Sequence, residues 1–159
     1  MPDIAALPWD YPRPFTLTVK VAADDIDSLN HTNNTVYVKW CERVAWAHSC
    51  ALGLDLDCYR RLNRAMAINR AQYDYLQASH AGQELALATW ITQWDKKLTM
   101  IRHFQIVRLA DEATLLRAEV GFVCIDLATG KPRRLPREFI EGYGPAVLNE
   151  SETRRNGAA

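Results

Sequence analysis

One stretch of this chain repeats with helical spacing, and nearly everything around it alternates. From Asn34 the residues Tyr37, Trp40, Cys41, Val44 and Ala47 recur at steps of three and four, with Lys39, Glu42 and Arg43 on the opposite face. Asn33 or Asn34 can cap the first turn, and Gly53 predicts the stop after roughly five turns. Before the helix, Phe15, Leu17, Val19 and Val21 alternate with Thr16, Thr18 and Lys20, which reads as a strand. Beyond about residue 63 come four more strand patterns: "AMAINRAQYDYL", "ELALATWITQW", "LTMIRHFQIVRL" and "TLLRAEVGFVCIDL". Asp95-Lys96-Lys97, Asp111-Glu112 and "ATGKP" punctuate them, and "PREFIEGY" predicts a last helical turn. Short turns between successive strands imply antiparallel neighbours. The expected class is therefore α+β, an antiparallel sheet of about five strands against one long central helix.

The rest of the chain sets the limits. Pro2, Pro8, Pro12 and Pro14 make residues 1–14 an expected extended arm. Residues 15–145 read as a single domain, and residues 146–159 as a polar, flexible tail. One helix covers one face of a sheet, whereas Ala86, Ala88 and Trp90 give the other face an apolar stripe. A second subunit is its expected cover. Nineteen Lys and Arg balance nineteen Asp and Glu, so no overall field draws the chain to nucleic acid. Cys41, Cys50, Cys58 and Cys124 have no metal-binding spacing, so no metal is expected. The start lacks the basic and apolar regions of a secretory signal, and no apolar run is long enough to span a membrane. The expected location is a reducing cytoplasm, with free thiols.

The polar groups crowd into "DDIDSLNHTNNTVYVKW", Asp24 to Trp40, just ahead of the helix. A helix N-terminus presents unpaired N–H groups and positive partial charge. A carbonyl oxygen gaining negative charge there would be stabilised, and an upstream carboxylate could attack the carbon or activate water. Carboxylate plus helix N-terminus is a minimal ester- or thioester-cleaving device. The same residue types also serve simply as a capping cluster, and residue chemistry alone leaves both readings open.

The run from Asp25 to Tyr37, "DIDSLNHTNNTVY", resembles the signature of the hot-dog-fold acyl-CoA thioesterases, closest to the 4-hydroxybenzoyl-CoA thioesterase family and its long-chain acyl-CoA relatives. Gly121 to Pro132, "GFVCIDLATGKP", resembles that family's last long strand and turn. The resemblance implies a hot-dog fold and hydrolysis of acyl-CoA to a free acid and CoA. It gives Asp27 the role of nucleophile or general base. Asp25 is a supporting or structural acid, and His31 orients Asp27, touches the thioester or serves in local hydrogen bonding. Asn33 and Asn34 cap the helix, and the backbone N–H of Asn34 or Thr35 polarises the carbonyl. Tyr37 is expected to pack rather than react. It joins Tyr73 and Tyr75 as candidate substrate-lining residues, with His80 beside them. Arg133 and Arg134 are candidates for the CoA phosphates. Asn30 stands where the family often has glycine. No cofactor is implied beyond CoA itself, and the expected assembly is a homodimer or homotetramer with the site between subunits. A hydratase or dehydratase of the same fold, and a non-catalytic acyl-CoA-binding oligomeric module, are the competing expectations.

Overall fold

The computed structural model describes residues 2–154. Five strands, β1 (Phe15–Lys20), β2 (Arg64–Tyr75), β3 (Glu84–Trp94), β4 (Thr99–Arg108) and β5 (Thr114–Asp126), form one antiparallel sheet in the order β1-β3-β4-β5-β2. Three helices accompany them: α1 (Asn34–Ala51), α2 (Leu56–Leu62) and α3 (Arg137–Tyr143). This is the hot-dog fold, with α1 as its long helix. No helix among the described residues is long and apolar enough to cross a membrane.

The periodicity of α1 dictates its packing. Tyr37, Trp40, Cys41 and Val44 are buried on one face, against Val19, Val21, Leu85, Leu87, Phe104 and Ile106 of the sheet. Each such aliphatic side chain contributes about 1.5–3 kcal/mol of transfer free energy. Gly53 ends the helix at φ +82, a conformation that side chains disfavour. α2 has seven residues, too few to show a period in sequence. The Asp55 carboxylate caps it by accepting from the Cys58 N–H at 2.8 Å. Phe139 and Tyr143 of α3 join Tyr59 of α2 and Ile91 in a second core at the C-terminal end of α1.

Two expectations change. β2 and β3 are not neighbours: the connection 76–83 is too long for a tight hairpin, and β2 becomes the far edge, paired with β5. The outer face of the sheet is covered from within the chain. Residues 2–14 include a short 3-10 turn at Ile4–Ala6, and Leu7, Trp9 and Leu148 pack on Ala86, Ala88, Trp90 and Val107. Proline carbonyls anchor this arm: Trp90 Nε1 donates to Pro12 O at 3.0 Å and Gln105 Nε2 to Pro8 O at 3.1 Å. Arg117 Nε meets Asp10 Oδ2 at 2.7 Å. The argument for an oligomer from this face therefore lapses. At the other end, the Leu148 N–H donates to Ile91 O at 2.9 Å, so the chain is held past residue 146. Met1 and residues 155–159 of the expected arm and tail lie outside the described residues.

Trp9→Ala removes an indole that is 5% exposed and set edge-on to Trp90 at 6.1 Å. The expected loss of unfolding free energy is about 3–5 kcal/mol, read from the denaturant midpoint. An unchanged midpoint would mean that the arm does not dock in solution.

Candidate active site

The loop ahead of α1 is held by its own backbone. A bridge between Ile26 and Thr32 closes it, the Asp27 N–H donates to His31 O at 2.8 Å, and the Asn30 N–H donates to Asp27 O at 3.1 Å. The turn needs a left-handed residue, and Asn30 supplies it at φ 64. Asparagine tolerates that region better than most side chains, which explains how it can stand in for glycine. Asp27 Oδ1 accepts from the N–H groups of Leu29 at 2.9 Å and His31 at 3.3 Å. One oxygen is thus pinned, and the other, Oδ2, carries no hydrogen bond from the described residues.

The start of α1 is joined to this loop by the Asn33 N–H, which donates to Asp25 O at 2.8 Å. Asn33 Oδ1 accepts from both the N–H and the hydroxyl of Thr35, at 2.9 and 2.8 Å. That cap commits the Thr35 amide. The Asn34 N–H has no partner among the described residues, so it is the opening amide that remains available. Asp25 has a local role: its Oδ2 accepts from the Ala22 N–H at 2.9 Å and closes the preceding turn. His31 touches Asp27 through its backbone, while its ring packs edge-on to His80 at 5.3 Å.

Asp27, His31, Asn34, Tyr37 and Tyr75 come together around one cleft of about 310 Å³. Two of its lining residues, Thr32 and Tyr37, join a buried hydroxyl chain through Ser79. Ser79 Oγ lies 2.7 Å from both Tyr37 OH and Thr32 Oγ1, and the Tyr75 hydroxyl donates to Asn34 O at 3.2 Å. Thr32 and Ser79 were not singled out from the sequence. Thr32 lies inside the motif, but Ser79 reaches it from the β2–β3 connection, a contact no local pattern reveals. Asp25, Asn33, Thr35 and His80 stand behind the cleft rather than in its wall. Arg133 and Arg134 are displaced. Arg133 pairs with Asp126 at 3.0 Å, at the end of the β2–β5 ladder opposite Tyr75, roughly 35 Å away by strand rise. A cation that does touch the cleft wall is Arg108, which donates to Ala78 O and Gln77 Oε1, both at 3.0 Å, while paired with Asp111.

Tyr73 belongs to a second cavity of about 360 Å³, between α1 and the concave sheet. Val38, Ala45, Met66, Phe104 and Phe122 give it apolar walls, and Arg102, Ser49 and Tyr143 stand in its lining near the second core. Arg102 is 3% exposed. Its guanidinium meets His48 Nδ1 at 2.9 Å, Ser49 Oγ at 3.3 Å and Thr89 Oγ1 at 3.4 Å. Burial, reinforced by the neighbouring Arg102 charge, holds the His48 pKa down to about 4. Burial also pushes the Tyr59 phenol upward. Among the described residues no three His, Cys, Asp or Glu side chains are grouped to hold a metal ion.

The thioesterase-like superfamily matches residues 21–142, which takes in the loop, the helix and all but the first strand of the sheet. The chain belongs to that superfamily. The zebrafish protein THEM6 (Danio rerio) is 30% identical over 78 residues, a match that covers 49% of this chain and 38% of that protein. The chain thus spans about two fifths of that relative's length. Among solved structures, the 1,4-dihydroxy-2-naphthoyl-CoA thioesterase of Synechocystis superposes with a TM-score of 0.74 at 21% identity, covering 87% of this chain and 98% of that one. A Staphylococcus aureus protein solved in complex with CoA gives a TM-score of 0.76 at 21% identity, over 86% and 87% of the two chains.

His48 gives this thioesterase-like fold an acid sensitivity that can be isolated. Its folded pKa lies below the ordinary 6.5, so the unfolded chain takes up the proton first. The contribution of neutral His48 is complete above about pH 6.5 and is lost as pH falls toward about 4. His48→Gln keeps an acceptor for Arg102 and removes the titration. The stability difference between wild type and variant is expected to change over that window, followed by urea unfolding at stepped pH. A constant difference would contradict the assignment.

Proposed function

We propose that this chain hydrolyses acyl-CoA thioesters to a free carboxylic acid and CoA. The observation that carries the reading is the pairing, in one cleft, of a carboxylate fixed by one oxygen with a helix N-terminus whose first amide is unpaired. The thioester carbon would sit over Asp27 Oδ2, with its oxygen directed at the Asn34 N–H. Asp27 either attacks the carbon, giving a mixed anhydride that water then opens, or takes a proton from water as the water attacks. In both courses negative charge gathers on the carbonyl oxygen beside the helix start, and the C–S bond breaks to release the CoA thiolate. The backbone bonds to Asp27 Oδ1 hold the reacting group without reorganisation. Tyr37 and Tyr75 line the approach, and Asp25, His31, Asn33 and Thr35 hold the loop and helix in place. We place the reaction in the cytoplasm, a reducing compartment that suits four free cysteines. It needs no cofactor beyond the CoA of the substrate.

We read the β2 edge as the subunit interface of a homodimer, or of a homotetramer built from such dimers. β2 is twelve residues long and unpaired on its outer side, and Ile68 and Tyr75 on it are 59% and 47% exposed. Such an edge invites pairing. Antiparallel pairing of two copies about a twofold axis would set the Arg133–Arg134 end of one beside the Tyr75 end of the other. The displaced arginines would then reach CoA phosphates across the interface.

Asp27→Asn is expected to lower kcat/KM for acyl-CoA by about 10²–10⁴-fold while leaving the melting temperature near wild type, with CoA release followed by a thiol reagent. Equal rates would remove Asp27 from the chemistry. Enoyl-CoA hydration without CoA release would favour the hydratase reading instead. Sedimentation equilibrium is expected to give a mass of two or four chains, and a monomer at micromolar concentration would remove the β2 interface.

A further inference from the structure

The second cavity ends on a buried cation with no counter-ion. Arg102 hydrogen-bonds with His48, Ser49, Thr89 and the Tyr143 side chain, none of them an anion. No carboxylate among the described residues forms an ion pair with it. A guanidinium away from water is disfavoured unless a negative charge compensates it. Most of the remaining wall is apolar, with Glu42 as the one carboxylate in the lining and unpaired with Arg102, so the cavity suits a hydrocarbon chain whose charged end reaches the guanidinium.

Its placement says which end. Tyr75 stands in the wall of the Asp27 cleft and Tyr73 in the wall of the cavity, with ring centroids 6.5 Å apart. From there the cavity follows α1 through Val38, Cys41 and Ala45 to Ser49. The helix start and Ser49 are about 22 Å apart along the axis. A thioester carbonyl at Asn34 would therefore direct its acyl chain toward Arg102, with the charged group at the end remote from sulfur.

We propose that the cavity between α1 and the sheet binds acyl chains bearing a carboxylate at their distal end, and that Arg102 recognises that carboxylate. The favoured substrates are monothioesters of α,ω-dicarboxylic acids, medium to long in chain. This rests on the acyl-CoA reading above for the position of the thioester. The distal carboxylate accepts from the guanidinium in a charge-assisted pair, with bidentate geometry open to it.

The test compares plain, ω-hydroxy and ω-carboxy acyl-CoA of equal length by CoA release. It also compares S-alkyl-CoA with S-(ω-carboxyalkyl)-CoA, thioethers that cannot be hydrolysed, by calorimetric binding. Wild type is expected to favour the ω-carboxy member of each pair by at least about tenfold. Arg102→Met should abolish that ratio while still turning over the plain thioester, and Arg102→Lys, which keeps the charge, should retain part of it. The wild-type ratios decide the question even if a variant does not fold. A preference among thioethers without any turnover would overturn the thioesterase reading and leave this inference standing. Turnover with no ω-carboxy preference, or an equal preference for the ω-hydroxy chain, would overturn this inference alone. No CoA release from any of the acyl-CoA esters, together with failure of both thioethers to bind, would overturn both.

Discussion

The backbone of α1 comes closest to β1 and β3, and the cavity beside it opens on the side toward β4, β5 and β2. The helix has one broad apolar face, and Trp40 and Val44 are satisfied by Val19, Leu85 and Leu87 on that side. Across the rest of the concave surface, Phe104, Val120 and Phe122 look onto space that the helix does not fill. Had α1 been centred, its side chains would have closed that space, as packing at normal protein density requires. The fold thus supplies an apolar cavity and a polar cleft along one helix, without any special loop to enclose them.

The cleft combines a rigid loop with a buried hydroxyl chain. Tyr37 and Ser79 are buried, and both depend on hydrogen bonds to each other and to Thr32. Unpaired, each hydroxyl would cost about 1–3 kcal/mol, so the three groups fix one another's positions. The result is that the β2–β3 connection, which carries Ser79, is tied to the same point as the first turn of α1. Asp27 inherits that fixity through the Ile26–Thr32 bridge. A reacting carboxylate gains most from a position set before substrate arrives, because its oxygens then need no rearrangement as charge develops.

What could be read in sequence was what is local. The motif places Asp27, His31 and Asn34 within eight residues, and a capped helix start leaves such a segment few ways to fold, so they share the cleft. The alternation along β3 and β4 correctly separates Leu85, Leu87, Thr89 and Ile91 from Ala86, Ala88 and Trp90. Strand order was not legible, because the pairing of β2 with β5 joins residues about fifty apart and no local signal encodes it. The same holds for the proline-rich arm. Its conformation was inferred from proline's fixed φ, but its destination depends on carbonyls meeting Gln105 and Trp90 near the middle of the sheet. Tyr73 and Tyr75 share a strand face, yet they serve different cavities, since Tyr75 turns toward the helix start and Tyr73 toward its flank. One signal was present but unused. The period of β4 puts Arg102 between Met100 and Phe104 on the inward face, where a cation is out of place.

The tolerance of that cation also depends on the helix. His48 and Ser49 belong to the last turns of α1, so Arg102 sits at the end where the backbone carbonyls carry negative partial charge. Asp27 lies at the other end, beside the amides. One dipole therefore has a fixed carboxylate near its positive end and a fixed guanidinium near its negative end, which is the favourable arrangement for both. The compensation is partial, since a helix end amounts to about half an elementary charge, shared with solvent and screened over a turn. It accounts for a buried Arg102 that stays charged and hydrogen-bonded without a carboxylate of its own. It also leaves that charge under-balanced in the lining of a largely apolar cavity, which is where an incoming anion would gain most.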